Sequence, residues 1–239
     1  MAEPIKSLAK AHAIVDLLRA EGALTPSEVA DAIGMPRSSA YRLIEGLRAI
    51  DLVASRPDGT VDLSQRWLHL ADASRDARTE WTAARAELDE LARTTGFTAY
   101  LAVPRSGSAV CVEWVRGRSI ELLILRPGGS LALNAGAASR ALRAHLPETE
   151  HGVAESYTPF TLTEPEILAA DGAAVREQGF VIAVDDVTVG ITSVGVPVRD
   201  ARGSAIASLS VGGLSSDLRG IAEEMIAPLQ RSADVLTTL

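Results

Sequence analysis

The sequence predicts an α+β protein in which a small helical head with one hairpin precedes a larger domain of mixed strands and helices. Three observations predict it. The first 64 residues read as three short helices and then two extended runs around a Pro57-Asp58-Gly59 turn. Residues 65–95 read as a linker helix or a pair of helices. From Phe97 onward, short apolar runs alternate with Gly-containing turns and alanine-rich helices. These shifts predict three parts: 1–64, a helical linker at 65–95, and 96–239.

The first helix is predicted from about Ile5 to Ala20, with Leu8, Ala11, Val15 and Leu18 on one face and Gly22 as its stop. Thr25-Pro26-Ser27-Glu28 starts the second. It offers a capping threonine, a proline at the first helical position and a glutamate three residues after the cap. Gly34 ends it. The third helix runs from near Pro36 to about Ile50. Ala40, Leu43, Ile44, Leu47 and Ile50 share one arc, and Arg37, Ser38, Tyr41, Arg42, Glu45 and Arg48 occupy the other. Residues 52–55 and 60–63 form the hairpin.

In the larger part, strands are expected at 98–103, 109–115, 120–125, 180–184, 193–198 and 205–211. Helices are expected at 134–145 and 164–178, the second closed by Gly179. A last helix at 215–239 carries Pro228 as a kink.

Three helices followed by a hairpin is the order of a winged helix-turn-helix, and the third helix fits the needs of DNA reading. The major groove admits one α-helix, whose N-terminal residues reach base edges. Arg37, Ser38 and Ser39 stand at that end. Tyr41 and Arg42, one turn on, are placed for phosphates, which fix register without reading sequence. Arg56 in the hairpin turn is placed to reach a neighbouring minor groove or a phosphate, and Lys6 and Lys10 near the N-terminus are further phosphate candidates. The net charge of −8 does not oppose this, because residues 1–70 are close to neutral and the rest of the chain carries most of the acid. An arginine-bearing helix face taken alone is also what any solvated surface presents. The capping box, the Gly34-Met35-Pro36 turn and the hairpin together favour DNA.

Other classes find less support. Cys111 is the single cysteine, which excludes an internal disulfide, a multi-cysteine metal site and two-thiol redox chemistry. The histidines are His12, His69, His145 and His151, and none falls in a nucleophile or metal motif, so no enzyme activity, cofactor or metal is expected. No apolar run approaches the ~20 residues of a membrane span, and residues 1–10 hold no signal-type stretch, so a cytoplasmic location is expected. The alternative is a sensor or scaffold whose winged helix makes protein contacts only.

The sequence also resembles the isocitrate-lyase-regulator (IclR) family of bacterial transcription regulators. The likeness runs through Lys6-Ser7-Leu8, Leu24 to Ala30, Gly34 to Ile44, Asn134 to Leu142, Val175 to Phe180, Gly190 to Asp200 and Ser208 to Gly213. It implies a GAF/PAS-like α+β effector-binding domain behind the head and a DNA-binding regulator, more often a repressor. The partners implied are double-stranded operator DNA, a small carboxylate or aromatic-acid effector, and further copies of the chain as a homodimer or dimer of dimers. By position in the matching motifs, the effector-contact candidates are Asn134, Ala135, Ser193 and Ser210, with Arg126 as a possible charge. A carboxylate needs converging donors, and helix amides and serine hydroxyls supply them. Trp67 and Trp81 in the linker are candidate dimer contacts. The chain departs from the family at Asp51 and Val61-Asp62-Leu63-Ser64. It also has Asn134 for a histidine, Ser139 for the helix glycine, and Val187 after the acidic pair Asp185-Asp186.

Overall fold

The computed structural model describes residues 5–76, 84–118 and 125–237. They divide into two compact units, 1–79 and 80–239. No described helix is long and apolar enough to cross a membrane.

The first unit holds helices α1 (Lys6–Glu21), α2 (Pro26–Ile33) and α3 (Arg37–Ala49), strands β1 (Val53–Ser55) and β2 (Val61–Leu63), and helix α4 (Arg66–Asp76). The start of α2 is the capping box read from the sequence. The Thr25 N–H donates to Glu28 Oε2 at 2.7 Å and the Glu28 N–H to Thr25 Oγ1 at 3.3 Å. The Thr25 backbone amide and then the Thr25 hydroxyl, which donates to Glu28 Oε2 at 2.8 Å, hold the Glu28 carboxyl below its usual range. Gly34 takes the left-handed conformation at φ +66° that ends α2. Asp51 does the same after α3 at φ +58°, a region that aspartate tolerates better than most residues.

The core of this unit joins Ile14 and Leu18 of α1, Val29 of α2, Ile44 and Leu47 of α3, and Val53 and Val61 of the hairpin. The buried side of α1 is therefore rotated from the expected one: Ile14 is enclosed and Leu8 is exposed. The hairpin is tied down at both ends. Leu24 and Val61 exchange backbone hydrogen bonds of 3.1 and 2.7 Å, and the Trp67 indole N–H donates to the Leu52 carbonyl at 2.7 Å. That bond gives Trp67 a place inside the unit. Trp81 lies outside the described residues.

The second unit is a six-stranded antiparallel sheet in the order β5-β4-β3-β8-β7-β6. The strands are β3 (Thr98–Arg105), β4 (Ser108–Val115), β5 (Ser130–Ala132), β6 (Val181–Val184), β7 (Ile191–Arg199) and β8 (Ala205–Leu214). Helices α5 (Ala84–Thr95) and α9 (Ile226–Thr237) cover one face, where Leu88, Leu91, Leu101, Val196, Leu209 and Leu229 form the main core. Helix α6 (Ala137–Arg143) lies on the other face, with α7 (Pro165–Gln178) packed beyond it.

A single glycine sets the seat of α6. A Cβ built on Gly195 of β7 would stand 2.8 Å from the Ala137 carbonyl carbon and 3.0 Å from the Ala138 nitrogen. No side chain fits between helix and strand there, so the backbone of α6 rests directly on the sheet.

Three expectations change. Helix α6 begins at Ala137 with Gly136 as its cap, three residues later than read. The closing segment breaks at Ile221 (φ −125°, ψ 16°), between a short helix α8 (Ser215–Leu218) and α9. Pro228 does not kink it: it sits in the first turn of α9, where its missing N–H leaves no bond unmade. Strand β5 is one that the sequence reading lacks. The strand expected at 120–125 lies outside the described residues apart from Leu125.

Candidate functional site

The exposed face of α3 follows from its buried one. Ala40, Ile44 and Leu47 point into the first unit, which turns Arg37, Ser38, Tyr41, Arg42, Glu45 and Arg48 to solvent. Ser39 is half-buried. Local carboxylates already engage three of the arginines. Arg37 stands 3.8 Å from Asp31, and Arg48 holds Glu45 at 2.9 Å while donating to Ser55 Oγ of the hairpin at 3.1 Å. Arg56 pairs with Asp62 across the hairpin. Exposed pairs of this kind contribute about 0–1 kcal/mol, so exchange for a phosphate costs little. Arg42 makes no ion pair among the described residues. Lys6 and Lys10 are exposed on α1.

The second unit contains a cavity of about 510 Å³, its open mouth included, between α6 and the sheet. Its closed end is formed by Tyr100, Ala137, Ala138, Ser139 and Ser210, all buried. Val187, Thr188 and Ile191, which are half-buried, stand toward the open end, and Leu125 and Leu131 add apolar wall. None of the described residues that line it carries a charge.

The structure brings Ser193 and Ser210 to the cavity wall and leaves the other effector candidates behind or beside it. The side chain of Asn134 is committed elsewhere. Its Nδ2 donates to the Glu155 and Leu162 carbonyls at 2.8 and 2.7 Å, and its Oδ1 accepts from the Glu155 N–H at 3.0 Å. It thus pins the strap 155–162 to the start of α6. Ala135 is buried and does not line the cavity. Arg126 is exposed in the turn after Leu125, also outside the lining. The amides at the head of α6 are partly used within the protein. The Gly136 N–H donates to Asp186 Oδ2 at 2.9 Å and the Ala137 N–H to Ser193 Oγ at 3.2 Å. Ser193 keeps its hydroxyl proton to donate, and the Ser210 hydroxyl makes no hydrogen bond among the described residues.

Behind the cavity, Arg140 of α6 lies between two acids. Its Nε donates to Asp171 Oδ2 at 3.0 Å, and its Nη1 stands 3.5 Å from Asp186 Oδ2. Burial pulls its pKa down, but the Asp171 hydrogen bonds and the two carboxylates outweigh that and raise it, so the guanidinium stays charged.

The sequence reading missed Ser139 and Thr188 in the lining and the Arg140–Asp171–Asp186 group behind it. Gly195 could have signalled the close helix, since a glycine inside a strand often marks a near backbone. Cys111 is fully buried, and its thiol is pushed up to about 12 by burial and then by Glu113, which makes it an inert core group.

At the far end of α6, Arg199 Nη2 stands 3.1 Å from His145 Nε2. An arginine can only donate, so this ring nitrogen accepts and the imidazole is neutral. Burial, then Arg199 and Arg176, push its pKa down to about 4. Between about pH 4 and the ordinary value of 6.5 the unfolded chain binds a proton that the folded chain refuses, so stability rises with pH across that window. Denaturant melts from pH 4 to 7 are expected to show this slope, and His145→Gln is expected to flatten it. An unchanged slope in the variant would remove His145 as its cause.

Comparison with known proteins gives the following likenesses. Residues 79–238 match the family described as bacterial transcriptional regulator IclR C-terminal, and residues 7–57 match the IclR helix-turn-helix domain. The HTH-type transcriptional regulator XynR of Escherichia coli (strain K12) is 29% identical over 223 residues, covering 89% of this chain and 87% of its own. The HTH-type transcriptional repressor AllR of Salmonella typhi is 26% identical over 228 residues, covering 89% and 81%. Among solved structures, an IclR homolog from Microbacterium hydrocarbonoxydans, crystallised as a complex with 4-hydroxybenzoate, superimposes with a TM-score of 0.81. It is 24% identical and covers 97% of this chain and 98% of its own.

Proposed function

Because the chain belongs to the IclR family of bacterial transcription regulators, we propose that it is a repressor whose grip on operator DNA is set by a small molecule held in the cavity beside α6. The observation that carries this reading is the cavity itself. It is an apolar space with a few hydroxyl groups on its wall, and it lies in a chain that also presents a polar reading helix. In this reading residues 1–64 are the DNA head, 65–95 the helical connection, and 96–239 the effector-binding and oligomerisation part. Arg37, Ser38 and Ser39 face bases. Tyr41, Arg42, Arg56, Lys6 and Lys10 face phosphates.

The effector is a small carboxylate or an aromatic acid. The Microbacterium homolog supports this class, because it is complexed with an aromatic acid, 4-hydroxybenzoate, and the cavity here is largely apolar. Ser193 and Ser210 contact it directly. Asn134 and Ala135 act from behind by holding the strap and the start of α6, and Arg126 adds a positive charge near Leu125. The protein acts as a homodimer or dimer of dimers, since one helix reads too few base pairs and two heads must meet half-sites ~34–36 Å apart. It works in the cytoplasm, where its DNA lies, and performs no catalysis.

The test is a gel-shift titration of the full-length chain against DNA upstream of its own gene, with and without small carboxylates and aromatic acids. An effector is expected to change operator affinity about 5–150-fold, and operator DNA must change effector affinity by the same factor. A chain that binds a ligand but shifts no DNA would favour the scaffold alternative.

A further inference from the structure

We propose that Ser139 is the specificity-determining residue of this cavity, and that it reads a hydroxyl group on the ring of an aromatic acid that enters hydroxyl-first. This rests on the reading of the cavity as the effector site and adds what the effector must carry and which way round it lies.

Ser139 is fully buried, lines the cavity, and its Oγ has no hydrogen-bond partner among the described residues. A serine inside a helix ordinarily satisfies itself on a carbonyl one turn back. Ser139 does not. The Ser208 hydroxyl is likewise buried and unpartnered, but it does not line the cavity. An unmet buried hydroxyl lowers stability, so its presence on the wall of this cavity points to a partner brought by the ligand.

The charges decide which end of the ligand arrives there. No charged side chain among the described residues lines the cavity. Directly behind the wall, the Gly136 N–H holds the carboxylate of Asp186 at 2.9 Å, and the nearby guanidinium of Arg140 is committed to Asp171 and Asp186. A ligand carboxylate at the closed end would lose its water, meet no free cation, and lie close to Asp186. A neutral hydroxyl needs no cation, is not repelled by Asp186, and regains its lost water contacts as hydrogen bonds. It can donate and accept at once, which suits Ser139 on one side and Ser193 or Ser210 on the other. The ring then packs against Leu125, Leu131 and Val187, and the carboxylate remains hydrated at the open end by Thr188 and Ile191.

The experiment is calorimetry of the full-length protein with 4-hydroxybenzoate and with benzoate, which differ in that hydroxyl alone. Wild type is expected to bind 4-hydroxybenzoate at least about tenfold more tightly, as loss of a buried hydrogen bond costs about that factor. In Ser139→Ala the two acids are expected to bind within about threefold of each other, with benzoate affinity unchanged. The ligand-free variant is also expected to melt about 2–4 °C higher, because the unmet hydroxyl is gone. A purely structural serine would lower the melting point instead. Ser139→Gly is expected to lose the discrimination as well, which guards against an effect of the added methyl contact. Undiminished discrimination in both variants, tighter binding of benzoate by wild type, or no saturable binding of either acid at millimolar concentration overturns the proposal. If another carboxylate then binds and shifts operator affinity, the regulator reading stands without it. If none does, that reading falls too.

Discussion

Arg140→Ala is expected to destabilise the second unit by about 3–5 kcal/mol, the range for removing one partner of a buried charge group. The side chain is 12% exposed, and its two acids, Asp171 and Asp186, are 15% and 6% exposed. Truncation would leave Asp186 enclosed without its cation and Asp171 with only the electrostatic pull of Arg143, and Asp186 also anchors the Gly136 N–H at the head of α6. The seat of α6 on Gly195 and the wall of the cavity depend on that anchor. Equilibrium denaturation followed by the tryptophan signal is the measurement, and a loss below about 1 kcal/mol would show that the group carries no such weight. Arg140→Lys is expected to recover only part of the stability, since a point charge cannot bond Asp171 in two places while facing Asp186.

Arg42→Ala is expected to weaken operator binding roughly tenfold per DNA contact near ~0.1 M salt and to lower the salt slope by about 1 for each bound head. The effect should be the same on operator and unrelated DNA, because a phosphate contact carries no sequence information. The prediction singles out Arg42 because Arg37, Arg48 and Arg56 already have carboxylate partners, and Arg48 also ties α3 to the hairpin. Arg37→Ala is expected to act differently, relaxing preference at particular base pairs by about 1–3 kcal/mol. Fluorescence anisotropy at several salt concentrations separates the two. A wild-type salt slope in Arg42→Ala would take this residue off the phosphate backbone.

The head was legible in the sequence because its rules are local. The capping box spans four residues from Thr25 to Glu28, Gly34 and Asp51 supply left-handed turns, and the hairpin closes within a dozen residues. Helical period also told which side of α3 is wet. Period alone fixes which residues share a face and not which neighbour covers it, so it set Leu8 on the dry side of α1 when nothing in the unit packs there. The candidate site was less legible because its geometry comes from distant pairs. Gly136 meets Asp186 across 50 residues, Ala137 meets Ser193 across 56, and Arg140 meets Asp171 across 31. No local pattern encodes such meetings. The sequence determined two serine-bearing strands and a small-residue helix near one another in the chain's plan. The tertiary packing of α6 on Gly195 decided that Ser139 and Ser210 face the cavity while Asn134 turns away to hold the strap, because a buried amide takes whichever partners satisfy it and a backbone laid on bare glycine leaves its neighbours no other side to face.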